Sequence, residues 1–252
     1  MRRIAADNQQ LLAAIARNEI TTEDVVALSY RKKQLAVFER LLSDSDYFDE
    51  CVHQHGKGPE SLWQRYLEKN HWILGYSLSL INFGALDDRK LEQTVRGHDI
   101  DSPGKRVDAL LRSRAALTTS AFVELKHHRT DLVAPDKYRS GIWAPSKELS
   151  GAVAQVQGTV AAAVERWGAA VRVTDSDGEP SGETIYTTEP RSFVICGRLN
   201  EFEGEHGVNE RKFASFERFR RNLLRPEVVT FDELYERARM IVAANDSSEK
   251  RV

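Results

Sequence analysis

Cysteine is scarce: Cys51 and Cys196 are the only two in 252 residues, far apart and in unlike surroundings. A disulfide framework is not expected, and a cytoplasmic location fits. No apolar run approaches the roughly 20 residues that span a bilayer. Met1-Arg2-Arg3-Ile4 is not followed by the apolar core of a signal peptide, so no membrane partner is expected. His53 and His55 lie in a probable loop with no cysteine partners at zinc spacing. No Gly-rich phosphate loop is present, so no nucleotide cofactor is expected. Internal repeats and low-complexity tracts are missing. Excess charge is missing too, since 36 Lys and Arg face 38 Asp and Glu. Any nucleic-acid binding must therefore come from a local basic surface.

What remains is a globular composition, with 41% hydrophobic and 29% charged residues. The length suits one large domain, or one domain with an appendage. Residues 5–17 and a longer stretch to about Leu42 read as amphipathic helices, the second with Val25, Leu28, Leu35, Phe38 and Leu41 on roughly one side. The polar segment 43–58 reads as a linker with a short helical piece at 46–52. The expected division is an N-terminal helical arm over 1–50, a core domain over 51–245 and a polar tail over 246–252. The arm is either an assembly element or a cover for its own domain.

Beyond the linker, Pro59 opens a helix, as its fixed φ and missing N–H favour. Strand-like runs follow at 77–83 and 91–97, then at 106–112 and 117–126. Residues 130–146, with two Pro, one Gly and several charges, read as a loop and a candidate substrate-contacting flap. A helix over about 146–167, a surface loop over 174–184 and a buried strand over 192–197 come next. A basic amphipathic helix spans about 208–223. Thr230 with Glu233 forms a capping box for a terminal helix. The order predicts an α/β core with a mixed sheet flanked by helices.

The chemistry concentrates around Asp108, Glu124 and Lys126. Side chains alternate along a strand, so Glu124 and Lys126 share one face while Val123 and Leu125 take the other. Strands 106–112 and 117–126 would pair as a hairpin and bring Asp108 within reach of Glu124. Two close carboxylates repel each other, and a divalent cation removes that cost. Hard oxygen ligands favour Mg²⁺ or Mn²⁺ over Zn²⁺. Such a site can cleave phosphodiesters, with the metal polarising a phosphoryl oxygen and Lys126 orienting water or neutralising phosphate charge. An isolated acid-x-Lys is more often a solvated ion pair at a strand end. Asp108 and the apolar flanks are what set this one apart.

Other residues have plainer readings. His127 and His128 face opposite ways and suit a strand end. Trp63, Trp72 and Trp167 suit packing, while Trp143, in a polar loop, is the candidate for stacking on a base. Lys105-Arg106, Lys126 to Arg129, Lys137-Tyr138-Arg139 and the basic run 211–225 are the candidate phosphate contacts. For the last of these, the wet face of a helix is an equal alternative.

From Pro59 to about Val242 the chain resembles the Shedu family of anti-phage defence nucleases. The segments that carry the likeness are G-P-E-S-L-W-Q-R-Y-L-E-K-N with W-I-L-G-Y, G-K-R-V-D-A-L-L, F-V-E-L-K, K-E-L-S-G-A-V-A-Q, F-V-I-C-G-R and V-V-T-F-D-E-L. The upstream helix R-K-K-Q-L-A-V-F-E-R-L-L is similar to one that often precedes this domain. The resemblance implies a restriction-endonuclease-like core of the PD-(D/E)XK superfamily, with Asp108, Glu124 and Glu60 as metal-binding acids and Lys126 as the catalytic lysine. It also implies a role for Gln155, on the helix after the Glu-x-Lys strand, in holding a phosphate or the water network. For Glu60 the plain alternative is a first-turn acid complementing the helix dipole. Thr159 stands where a tyrosine often follows that glutamine, and Val107 stands where the superfamily's proline would be.

The implied activity is Mg²⁺-dependent DNA endonuclease or nickase action in defence against phage, by a homo-oligomer, expected to be a tetramer. The rival readings are a non-catalytic DNA-binding or scaffold module with the same fold, and an assembly protein driven by the arm.

Overall fold

The computed structural model describes residues 22–77, 83–85, 109–113, 118–174 and 179–249. The first helix expected from the sequence, the strand expected at 91–97, and Asp108 lie outside these residues. Four helices come first: α1 (Thr22–Ser43), α2 (Ser45–His55), α3 (Pro59–Lys69) and α4 (His71–Ser77). The segment read as a linker with a short helical piece at 46–52 does carry that helix, and more of it than expected. The Asp44 side chain accepts the N–H of Tyr47 at the start of α2, and Gly56, at φ 73°, closes it in the left-handed conformation. Asp and Gly suggested a loop, yet here they punctuate a helix.

A mixed sheet follows. Strands β1 (Phe83–Ala85), β2 (Ala109–Ser113) and β3 (Thr118–Leu125) run antiparallel in turn. The hairpin of β2 and β3 is the one expected, with Ala109 opposite Val123. The run 130–146, read as a loop, is a separate ribbon of β4 (Val133–Arg139) and β5 (Ile142–Pro145). Its alternation is broken by irregular register, which hides the strand signal. After α5 (Lys147–Trp167), β6 (Ala170–Thr174) pairs antiparallel with β7 (Pro180–Ile195). Part of the loop expected over 174–184 is thus strand.

The C-terminal half of β7 runs parallel to both β3 and β10 (Glu227–Val229). The main sheet order is β1-β2-β3-β7-β10, with β6 on the other half of β7. A 3₁₀ turn (Leu199–Phe202), a small ribbon of β8 (Glu203–Gly204) and β9 (Gly207–Val208), α6 (Glu210–Arg221) and α7 (Phe231–Glu249) complete the described chain. The capping box is present: Thr230 N and Oγ1 both donate to Glu233 Oε2, at 3.0 and 3.1 Å.

The sheet divides the interior in two. Ala121, Val123 and Leu125 of β3 face a cluster with Phe38, Phe48, Trp63 and Phe231, from α1, α2, α3 and α7. Phe122 of β3 and Val194 of β7 face the other cluster, with Leu149 and Val156 of α5 and Phe216 of α6. Period-two alternation thus feeds both cores from one strand. Helices α1 and α2, within the segment read as an arm, bury Phe38, Leu41 and Phe48 in the first cluster. All four tryptophans are buried, Trp143 included.

His128 joins three helices in that cluster. Its Nδ1 accepts the indole N–H of Trp63 at 3.0 Å, and its ring meets Phe48 edge-on at 4.5 Å between centroids and Phe231 at 6.2 Å. Burial, chiefly, pushes its pKa down to about 3 from the ordinary 6.5, and Arg129 adds to the effect. The unfolded chain therefore binds a proton between those values that the folded chain does not, so stability rises with pH through this window. The contribution is complete above about pH 6.5 and is lost as pH falls towards 3. Denaturant midpoints measured from pH 7 to pH 4 should fall more steeply for the parent than for His128→Phe. Equal slopes would show that the imidazole has no such role.

Candidate active site

The parallel ends of β3, β7 and β10 meet at one edge of the sheet, and successive backbone hydrogen bonds stitch that edge together. Lys126 N donates to Ile195 O at 2.9 Å, Cys196 N to Val229 O at 3.1 Å, and Phe231 N to Gly197 O at 3.0 Å. Lys126 is thus held in the ladder at the end of β3. Gly197 N also donates to His127 O, and Gly197 sits at φ 60°. A Cβ there would lie 2.5 Å from the Thr130 carbonyl and 2.7 Å from a Leu132 methyl. Only glycine admits the loop after Lys126 so close to the end of β7.

Four of the five residues singled out from the sequence come together at this edge. Glu124 is 2% exposed on the α5 side of the sheet. Its Oε1 lies 3.3 Å from Lys126 Nζ, and its Oε2 accepts the amide of Gln155 at 2.8 Å. Lys126 Nζ is also 3.7 Å from Glu60 Oε1. Glu60 lies in the first turn of α3, where Pro59 follows Gly58, and its side chain remains 48% exposed. Glu60 is thus a first-turn acid whose carboxylate also reaches the lysine.

Asp108 is outside the described residues. Its sequence neighbour Ala109 is the register partner of Val123, which precedes Glu124. Among the described residues no group of three His, Cys, Asp or Glu side chains is spaced to hold a metal ion.

A buried carboxylate needs compensation, and the Lys126 ammonium and the Gln155 amide contribute to that of Glu124. The ammonium is shared with the Glu60 carboxylate. Two carboxylates drawn towards one point attract a cation rather than an anion. Carboxylate oxygens are the donors that Mg²⁺ and Mn²⁺ prefer, so the residues fit such an ion.

The neighbours are structural. Burial pushes the Cys196 thiol up to about 12, which removes it as a nucleophile. His127 is held below its ordinary value, chiefly by burial, with Glu60 acting in the opposite sense. Its Nδ1 accepts the Arg129 N–H at 3.2 Å, and the Arg129 guanidinium in turn bonds Asp49 and the Ser45 carbonyl of α2. Thr159 is buried, with its hydroxyl on the Gln155 carbonyl, and Gln157 reaches the Arg225 carbonyl instead.

The basic run after 210 splits. Arg220 is bound to Glu233 and Glu217, and Arg225 to Glu189, while Arg211 and Arg218 are exposed. Gly197 was the site-shaping residue that sequence reasoning missed, and Arg129, read as a candidate phosphate contact, is engaged with Asp49 and the Ser45 carbonyl. A lone glycine carries a signal only when its neighbours in space are known.

A mixed α/β protein with a Glu-x-Lys strand end under a glutamine-bearing helix is the class these observations define. The model of the family described as Shedu protein SduA, C-terminal, matches residues 57–235. The Shedu protein SduA of Bacillus cereus (strain B4264) is 31% identical over 188 residues, 73% of this chain. The match spans 45% of that protein, so this chain corresponds to about half of its relative. The chain belongs to the Shedu family.

Replacing Gly197 by alanine should destabilise the protein by more than about 1 kcal/mol, because strain and a backbone clash act together. A thermal melt of Gly197→Ala at the parent's midpoint would contradict this account of the edge.

Proposed function

We propose that this chain is a metal-dependent DNA endonuclease or nickase that acts in anti-phage defence. The observation that carries the reading is the Lys126 ammonium standing between Glu124 and Glu60, with Gln155 fixing the far oxygen of Glu124. Family membership supports it. So does the sheet, whose alternating acid and lysine at the end of an inner strand suit a restriction-endonuclease-like PD-(D/E)XK core.

In this reading Glu124, Glu60 and Asp108 would hold Mg²⁺ or Mn²⁺, which when bound supplies Lewis acidity towards a phosphoryl oxygen and a more acidic water. The chain's own groups do the rest. The Gln155 amide fixes the plane of the Glu124 carboxylate, so its oxygens point in set directions. The ammonium of Lys126, anchored through its backbone to β7, is placed to neutralise charge that develops on the phosphate and to orient the attacking water. The half-exposed Glu60 marks the solvent side, from which a nucleic-acid strand approaches. Double-stranded phage DNA is the proposed substrate, the cytoplasm the proposed location, and a homo-oligomer, specifically a tetramer, the proposed working form.

Plasmid incubated with Mg²⁺ or Mn²⁺ should be nicked or linearised, and EDTA should stop the reaction. Glu124→Ala and Lys126→Ala should each lower the cleavage rate by about 100-fold or more while keeping the parent's circular dichroism. Gln155→Ala should have a smaller effect, because it acts through Glu124. If both the Glu124 and Lys126 variants cut at the parent's rate, the assignment fails. A parent that binds DNA without any product would leave the non-catalytic binding module as the better reading.

A further inference from the structure

The β4–β5 ribbon leaves the site edge seven residues after Lys126, and it carries chemistry that the active site does not use. Its root is clamped: the backbone N–H groups of Leu132 and Val133 both donate to the Glu201 carboxylate, which also receives Lys212 of α6 at 3.1 Å. Its second strand lies on α6, where Trp143 N donates to Ser215 Oγ at 3.3 Å. Its turn depends on Gly141, at φ 71°, and the stem of Arg211 passes 3.3 Å from where a Cβ would stand. Ribbon and helix are therefore one braced unit, with Arg211 beside the turn.

The unit is basic and exposed. The ribbon bears Lys137 and Arg139 against Asp136, and α6 bears five basic residues against Glu210 and Glu217. The chain as a whole carries −2. Among the described residues, Lys137, Arg139, Arg211 and Arg218 have no carboxylate partner, whereas Lys212, Arg220 and Arg221 do. Lys137 lies over the buried Trp143 ring at 5.3 Å, and Arg139 over Tyr138 at 5.6 Å. Tyr138 is 71% exposed, so much of its ring remains open to a partner beside the Arg139 guanidinium.

We propose that the β4–β5 ribbon and the exposed side of α6 form a phosphate-binding arm that docks duplex DNA beside the active site. Lys137, Arg139 and Arg211 supply the contacts around the turn, and Arg218 extends them along the helix. A two-stranded ribbon fits the major groove, and unpaired cations on a braced scaffold suit the sugar–phosphate backbone. An anionic membrane is the weaker match. The phenylalanines of α6, Phe213, Phe216 and Phe219, pack on the second core, and the exposed apolar side chains around the ribbon, such as Ile142, are scattered among its cations rather than gathered on one helix face. The inference rests on the reading of the chain as one that acts on nucleic acid.

The test is fluorescence anisotropy of a labelled duplex in EDTA, so that cleavage plays no part. Salt is varied from about 50 to 200 mM. The Lys137→Ala/Arg139→Ala/Arg211→Ala variant should bind at least about 10-fold more weakly at low salt, with a log–log salt slope shallower by about 2 to 3. Lys137→Arg/Arg139→Lys should keep the parent's slope. A triple variant with the parent's affinity and slope overturns the proposal. So does a parent that binds phosphatidylserine vesicles but no duplex. Failure of the catalytic set would appear separately, as cleavage that persists in Glu124→Ala.

Discussion

A carboxylate buried at the end of an inner strand is the constraint around which this structure is arranged. Glu124 is almost wholly withdrawn from water, and a lone charge there would be far too costly to keep. The balance seen among the described residues comes from two elements: Lys126 at the end of its own strand, and Gln155 on α5. Glu60, on α3, draws on the same ammonium from the other side. Strand end and α5 must both stand in their observed positions for the buried charge to be tolerated.

The backbone supplies the rigidity that side chains alone would not. Lys126, Cys196 and Gly197 each donate to a carbonyl of a neighbouring segment, so the strand ends form a continuous row. Gly197 lets the loop after Lys126 lie flat against that row. Arg129 pins the same loop to α2, and Glu201 pins the segment that follows to α6. A long lysine side chain holds a set position only if its Cα is fixed, and this row fixes that of Lys126.

The core of the site was legible because strand alternation is a strict rule. Given a strand at 117–126, Glu124 and Lys126 had to share a face. The capping box at Thr230 and Glu233 was equally local and equally readable. What escaped was non-local. The helical piece expected at 46–52 was readable, but not that it extends over Ser45–His55 and joins the core, where Phe48 packs near Trp63. The β4–β5 ribbon was read as a loop because its register is irregular and its partner surface, α6, lies some seventy residues away. Trp143, read as the candidate for stacking on a base, is buried in the second cluster, and Tyr138 is the exposed aromatic of the ribbon. Gln155 and Glu60 came from family likeness rather than from spacing, since no periodicity links them to Glu124.

The position of Glu124 between two separate cores has a consequence for how the site responds to change. Ala121, Val123 and Leu125 of β3 belong to the cluster under α1, α3 and α7, and Phe122 belongs to the cluster under α5 and α6. Glu60 rides on the first set of helices and Gln155 on the second. The distance from Lys126 to Glu60 therefore reports on one core, and the hydrogen bond from Gln155 to Glu124 on the other. Interiors pack too tightly to deform smoothly, so a volume change in either cluster moves its helix as a body. A cavity beneath α3 would loosen Glu60 while leaving Gln155 in place, and one beneath α5 would do the reverse. The geometry of the candidate site is in this sense a joint property of two hydrophobic layers on opposite sides of the sheet.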